Sequence, residues 1–211
     1  TPLSNQYHAQ KYTTQIGNRI ALSPRKKYNG VVLDIGANVG HFTHAVRKLG
    51  FSCVAVEPHP AALVQLCERF KSDSGVKVIK AAVSHSLGKT KLNFHPDHLN
   101  DQIQTSISAS IIEDKFRTHH ETYEANTIPL SKFFTNLEAY VIVKIDIEGA
   151  EMFLVDDLIA NAMNIEYLLL ERHERFMKQS MYADEYHKKL LKLDRFIVQS
   201  GRTQKWLTNW V

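Results

Sequence analysis

Val31-Val32-Leu33-Asp34-Ile35-Gly36-Ala37-Asn38-Val39-Gly40 is the stretch that decides the fold. Its first five residues form an apolar run between Asn29-Gly30 and Gly36. Such a run suits a strand buried on both faces. The glycines that follow allow positive φ and close approach of backbone. The start of the next helix offers N–H groups without intrahelical partners. Together these make a ligand-binding turn at the carboxyl end of a strand in an open α/β sheet. A dinucleotide fingerprint requires G-x-G-x-x-G at this place, yet the residue two after Gly36 is Asn38. Asp34 would also repel a pyrophosphate, whereas a ligand carrying sulfonium and ammonium groups tolerates it. Glu57 closes the second apolar run, twenty-one residues after Gly36. An acid there holds ribose hydroxyls, a role shared with NAD enzymes.

Outward from this stretch the chain alternates strands and helices. Phe42, Ala45, Val46 and Leu49 share one helix face, with Gly50 as the stop. Phe51–Val56 reads as a second strand. Pro60 then opens a helix with Leu63, Leu66, Cys67 and Phe70 on one side, and Val76–Val83 reads as a third strand. This rhythm predicts βαβ units and a parallel sheet. Residues Ser84–Thr127 interrupt it. Lys89–Phe94 and Glu121–Leu130 read as extended, and Asp97–Ser110 is polar without periodicity. The insert is expected to be either a lid or substrate-binding loop or a surface excursion. Regularity returns with a short helix at Ser131–Leu137, a strand at Val141–Ile147 and a helix at Ala150–Met163. A strand at Ile165–Leu170 and a helix at Tyr182–Leu193 follow, and Phe196–Gln199 with Lys205–Val211 reads as a closing hairpin around Gly201. At the other end, Asn5–Leu22 has helical periodicity through Tyr12, Ile16 and Ile20. The expected organisation is a helical appendage over residues 1–27 and one domain over residues 28–211.

The bulk properties fit one soluble α/β domain. The chain has 211 residues, 44% of them hydrophobic and 23% charged. The net charge of +4 is mild, and its densest basic run is Arg25-Lys26-Lys27. A nucleic-acid groove needs a longer basic stripe with interleaved aromatics. No run reaches the ~20 apolar residues of a membrane span, and no secretory leader is visible. The start at Thr1 suggests processing or a domain cut from a longer protein. Cys53 and Cys67 sit among apolar residues and read as reduced core side chains, which points to the cytoplasm.

Three blocks carry a resemblance to a known family. They are Val32–Gly40, then Val56-Glu57-Pro58-His59-Pro60, then Val143-Lys144-Ile145-Asp146-Ile147-Glu148-Gly149-Ala150-Glu151. In order and spacing the chain resembles the FkbM-like methyltransferases over residues 30–175. The resemblance implies the class I methyltransferase fold: Rossmann-like, doubly wound α/β, with a mostly parallel seven-stranded sheet and an antiparallel terminal strand. It implies S-adenosylmethionine as methyl donor and S-adenosylhomocysteine as product. It also implies O-methylation of sugar or polyketide hydroxyls. On this reading Asp34, Gly36, Ala37, Asn38, Gly40, His41, Phe42, Glu57, Pro58, Ala82 and Asp146 contact the cofactor. The chain departs from the family pattern at Ser131, where an acid is common. It departs again at Leu154-Val155-Asp156, where a leucine–lysine–glycine step is common.

A sugar hydroxyl is a very weak acid and needs a general base or a metal at the strand ends. Asp146 and Glu171 end two buried strands, and Glu148 and His173 follow each by two residues. If the strands are neighbours, these four converge as candidate catalytic residues. Asp146 and Glu171 form the expected central pair and His173 the expected proton acceptor. The two carboxylates, joined by His173, are also candidate ligands for Mg²⁺ or Mn²⁺. From the insert, Asp101, Gln104, Thr105 and Ser106 are expected to line the acceptor site, partly through the family resemblance. His95, His98, His119 and His120 lack the tight Cys/His spacing of structural zinc. The expected activity is O-methylation of a glycan hydroxyl, a deoxysugar such as rhamnose being a candidate. The expected context is linkage to other glycan-assembly domains in a longer chain. The alternatives are an RNA or DNA methyltransferase and a non-catalytic interaction module.

Overall fold

The first ligand turn lies at the centre of the fold, where the strand order of a parallel sheet reverses. The computed structural model describes residues 30–95, 97, 100–114, 122–137 and 139–208. The predicted helix Asn5–Leu22, the appendage over 1–27, and His98, His119 and His120 lie outside these residues. In chain order the elements are β1 (Val31–Ile35), α1 (His41–Lys48), β2 (Ser52–Val56), α2 (Pro60–Phe70) and β3 (Val76–Ile79). Then come β4 (Ala82–Ser84), β5 (Gly88–Asn93), α3 (Gln102–Thr105) and β6 (Thr122–Pro129). The last are β7 (Tyr140–Ile145), α4 (Val155–Ala160), β8 (Ile165–Leu170), α5 (Glu174–Met177), α6 (Ala183–Gln199) and β9 (Trp206–Thr208).

The main sheet has six strands in the order β3-β2-β1-β7-β8-β9. Every pairing in it is parallel. β1 and β7 are its central pair, and all six residues of β7 are buried. Alternate side chains feed opposite faces, as a strand period of two requires. Leu33, Ile35, Val143 and Ile145 join the larger core with Leu158, Leu190 and Leu193. Val32 and Ile142 join the opposite core with Phe42 and Val46 of α1. α2 closes the same sheet further out, packing Leu63, Leu66 and Phe70 on Ala37 and Ala55. Among the described residues no helix is long and apolar enough to cross a membrane.

Several expectations change. The predicted strand Val76–Val83 is two strands, because β4 leaves the main sheet for a second one ordered β4-β6-β5. Ala82 and Val83 stay buried after the switch, so hydropathy alone did not mark it. The insert is therefore not irregular throughout: β5 and β6 pair antiparallel over six residues, and β4 pairs with β6. Its partners are far apart in sequence, which local patterning does not reveal. The predicted helix Ala150–Met163 begins as a 3-10 turn over Ala150–Leu154 before α4 starts.

The predicted closing hairpin is also replaced. Phe196–Gln199 continue α6, whose buried face is Tyr186, Leu190, Leu193 and Ile197. Gly201, at φ 69°, ends that helix, with Gly201 N–H on Val198 O and Arg202 N–H on Ile197 O at 3.2 and 2.9 Å. β9 then returns parallel to β8, pairing Leu168 with Trp206. The sheet therefore has six strands rather than seven, and no antiparallel strand in it among the described residues. The cysteines divide: Cys53 is buried and Cys67 is exposed, so only Cys53 is a core side chain.

Candidate functional site

The turn after β1 is folded against its neighbours before any ligand arrives. The N–H groups of Gly36 and Ala37 both donate to Val56 O of β2, at 3.0 and 3.1 Å. Gly36 has φ 75°, and a Cβ built there would lie 1.8 Å from the Asp146 carbonyl oxygen. The glycine therefore serves the approach of two protein loops. Asn38 has φ 50° and donates its N–H to Glu57 Oε2 at 2.8 Å. Glu57 Oε1 accepts the His59 N–H at 2.7 Å. Burial pushes the Glu57 carboxyl up to about 7 against these two hydrogen bonds. Gly40 starts α1 at φ 83°, and a Cβ there would meet Phe70 and Leu66 of α2 at 2.6 and 2.7 Å.

The other predicted cofactor residues differ in their surroundings. Asp34 is fully buried beneath the turn. Its Oδ2 accepts the Thr43 hydroxyl at 2.6 Å, and its Oδ1 lies 3.4 Å from Lys144 Nζ. The sequence reading left this charge for a cationic ligand; the structure neutralises it with Lys144 and offers no exposed oxygen. Phe42 is a core residue with Val32, Val46 and Phe51, because the first helix turn points its ring into the sheet. His41 faces α2, with Nδ1 3.4 Å from an Arg69 guanidinium nitrogen. Burial, Arg69 and His44 lower its pKa. Ala37 and Ala82 are buried. Pro58 borders a pocket of about 170 Å³ with Lys80, Ala81, Tyr123 and Glu124.

The strands β7 and β8 are neighbours, so the predicted acids do converge. Asp146 N–H bonds Ile35 O at 3.1 Å and Glu171 N–H bonds Ile145 O at 2.9 Å, which zips the three strand ends together. His173 Nε2 faces Glu148 Oε1 at 3.3 Å, Asp146 Oδ1 at 3.7 Å and Glu171 Oε1 at 3.8 Å. Burial raises the Asp146 carboxyl, opposed by Lys144 and His173. Burial and the Asp146 charge push Glu171 up to about 7. Burial works against a charged His173, but Glu151 and Glu148 outweigh it and hold the ring up to about 11. That direction favours the charged ring and works against His173 as the proton acceptor, its expected role. The ligand atoms of Asp146, Glu171 and His173 lie within 4.8 Å of one another, close enough to share a metal ion.

Three residues that the sequence reading left out of the site tie it together. Lys144 is 5% exposed. It donates to Gly36 O at 2.7 Å and lies 3.4 Å from Asp34 and 3.5 Å from Asp146. A lysine inside the apolar run Val141–Ile147 was the available signal. Glu151, the last residue of the third block, is fully buried against His173 Nδ1 at 2.7 Å. Tyr186 bonds Glu151 from α6, and no local pattern announces it.

The insert arches over both turns. Asn38 Nδ2 donates to Ser106 Oγ at 2.8 Å, and Ser110 Oγ donates to Glu148 O at 2.7 Å. Of the predicted acceptor residues, Ser106 therefore reaches the site. Thr105 Oγ1 turns back to Asp101 O at 2.5 Å, and Asp101 Oδ1 accepts the Ile103 N–H. Gln104 lies in α3, and its side chain is outside the described atoms. His95 lies 3.6 Å from Asp97.

A parallel sheet whose order reverses between β1 and β7, with a glycine turn and an acid at the two strand ends beside that reversal, is a doubly wound α/β fold with its ligand crevice at those strand ends. The sequence profile of the methyltransferase FkbM domain matches residues 34–196. The chain belongs to that methyltransferase family. A search of curated proteins gives no match. Among solved structures the chain is similar to the glycopeptide N-methyltransferase MtfA, with 14% identity and a TM-score of 0.37. That likeness covers 81% of this chain and 60% of MtfA, so the chain spans about three fifths of that protein. It is also similar to the Podospora anserina methyltransferase PaMTH1 in an SAH-bound structure. There the identity is 13%, the coverage 95% of this chain and 80% of that one, and the TM-score 0.37.

Proposed function

We propose that the chain methylates a hydroxyl of a sugar or glycan, with a deoxysugar such as rhamnose within the acceptor class. One observation carries this: Asp146 and Glu171 stand side by side at the ends of β7 and β8, around one buried imidazole. A hydroxyl must lose its proton as its oxygen attacks, and so needs a base there. A neutral amine attacks with its lone pair and sheds a proton afterwards.

The chain's residues suit the donor. Each Glu57 oxygen accepts one backbone N–H, which leaves a lone pair on each for the two ribose hydroxyls. The acids around Asp146 suit a sulfonium. When bound, S-adenosylmethionine supplies an electrophilic methyl group and leaves as S-adenosylhomocysteine. Glu171 accepts the hydroxyl proton, and its carboxyl, raised to about 7, is matched to that task near neutral pH. His173, held positive, steadies the three carboxylates about Nε2. The same acids make a poor site for a polyanionic RNA or DNA. In a longer protein, this step would follow glycan assembly by other domains.

A second use of the cluster is a divalent cation, Mg²⁺ or Mn²⁺, on Asp146 and Glu171, which His173 Nε2 would join only as the neutral ring. It would acidify the hydroxyl directly. A screen of glycans with isotope-labelled donor, read by mass, tests the activity. Asp146→Ala is expected to lower turnover by about 10²–10⁴-fold while S-adenosylhomocysteine still binds. Wild-type turnover in that variant removes Asp146 from the chemistry. Activity unchanged by exhaustive EDTA treatment excludes the cation.

A further inference from the structure

The 3-10 turn Ala150–Leu154 carries a charge that water does not reach. Glu151 is 0% exposed, although an acid that only favours a helix start works at the surface. Its Oε1 accepts the N–H of Gly149 at 3.1 Å and of Ile147 at 3.3 Å, and lies 2.7 Å from His173 Nδ1. Its Oε2 accepts the Tyr186 hydroxyl at 3.2 Å. That hydroxyl in turn accepts the His173 N–H at 2.8 Å.

Each partner belongs to the acceptor-side cluster. Ile147 and Gly149 flank Glu148, which has φ 58°, and Gly149 itself has φ 104°. Glycine takes a positive φ freely, but Glu148 keeps one only where surrounding bonds hold it. Here two of those bonds end on the Glu151 carboxylate, and Ser110 Oγ adds a third at Glu148 O. His173 is held at its backbone and at its ring by the same pair, Glu151 and Tyr186. Glu151 Oε1 already accepts two backbone N–H groups and Oε2 a hydroxyl, so Nδ1 supplies the proton of the bond between them. Nε2 is thereby the nitrogen presented to Asp146, Glu148 and Glu171.

We propose that Glu151 is a positioning residue: through the His173 Nδ1–H bond and the Ile147 and Gly149 N–H bonds it fixes which ring nitrogen faces Asp146 and Glu171 and holds the turn that carries Asp146 and Glu148. The proposal deepens the reading of this cluster as the methyl-acceptor site and rests on it for its effect on turnover. Its structural half is read without any acceptor. In the chain labelled with ¹⁵N-histidine and saturated with S-adenosylhomocysteine, His173 Nδ1 is expected to carry a proton protected from exchange. Glu151→Gln, which can turn an amide NH₂ toward Nδ1, is expected to lose that signal while S-adenosylhomocysteine affinity stays within about twofold. With the acceptor found by the glycan screen, kcat is expected to fall by about 100-fold with little change in KM for the donor. In a His173→Gln background the same substitution should add no more than about twofold.

An unprotonated Nδ1 in the wild-type protein overturns the proposal. So does an equal loss of kcat from Glu151→Gln with and without His173. If Glu151→Gln fails to fold, the wild-type spectrum still decides. A glycan screen without product counts against the proposed function and leaves the spectrum standing, so the two failures are distinguishable.

Discussion

Two turns at the ends of adjacent strands make this site, and they are held in opposite ways. The turn after β1 gives its N–H groups to the neighbouring strand end: Gly36 and Ala37 to Val56 O, Asn38 to Glu57. The turn after β7 gives its N–H groups to a side chain of its own continuation, Glu151. The first is a backbone frame with one acid at its rim, suited to hydroxyls of a nucleoside. The second gathers Asp146, Glu148 and Glu151 within six residues and adds Glu171 from β8. Lys144 is the charged group that touches both, through Gly36 O and Asp146. The groups proposed to bind the donor and to handle the proton are thus built on separate supports that meet at one ammonium and one carbonyl.

The sharpest way to break that arrangement is Gly36→Ala. Its Cβ would sit 1.8 Å from Asp146 O, so the two turns must part. The expected cost is at least about 4 kcal/mol, with a Tm lower by roughly 10 °C and no binding of S-adenosylhomocysteine. Gly50→Ala is the control: φ is similar at 85° but nothing lies within 4 Å, and about 1 kcal/mol is expected. Equal Tm losses in the two variants would show that backbone strain, not the meeting of the turns, sets the effect.

Lys144→Met comes next. It leaves Asp34 buried without its ion pair, a loss of roughly 3–5 kcal/mol for a buried pair. Chemical unfolding should show that loss, and Lys144→Met with Asp34→Asn should recover part of it. A single variant as stable as wild type would mean that Lys144 does not join the turns electrostatically.

The smallest effect is a pH slope. Glu57 and Glu171 are raised to about 7 in the folded chain. A raised acid binds its proton more tightly when folded, so its contribution is full below the ordinary carboxylate range and fades as pH climbs to about 7. His173, raised to about 11, has the same sign: its contribution is full below 6.5 and fades toward 11. Asp73 and Asp156 are lowered by hydrogen bonds from Arg47 and from Lys189 and Lys192, and their opposite slope lies at more acid pH. His41 and His44, lowered by burial, slope the other way around pH 6; with the raised acids prevailing, the urea midpoint of the ligand-free chain should fall from pH 5 to pH 8, and Glu57→Gln should flatten part of the slope. A midpoint that rises over that interval contradicts the strained-acid account of both turns.

The reading from residues alone went far where chemistry is local. The run Val31–Ile35, Asn38 in place of a second early glycine and the acid at Glu57 announce a ribose-type turn that departs from the dinucleotide pattern. Asp146 and Glu171 were legible because each ends a buried run, and the pairing of β7 with β8 brings them together. Asp34 and Phe42 were misplaced because a motif position does not say which way a side chain points from a strand or a first helix turn. His173 was read as a base because sequence shows a histidine near acids but not which carboxylates are buried against it. The switch of Ala82–Ser84 to a second sheet and the parallel return of β9 were hidden for a related reason. Both depend on partners thirty or more residues away.

By itself the sequence determined the alternation of buried strands with amphipathic helices, the family, and the residue types that can hold a nucleoside and move a proton. Those properties follow from hydropathy period, glycine placement and the acids at strand ends, all of which are read within a few residues. Only the tertiary structure decided how the charges are used. Lys144 neutralises Asp34, Glu151 and Tyr186 orient His173, and Ser106 reaches Asn38 from the insert. Burial and the distance between charges set whether a group is a cation, a base or a support, and both arise only when distant segments pack.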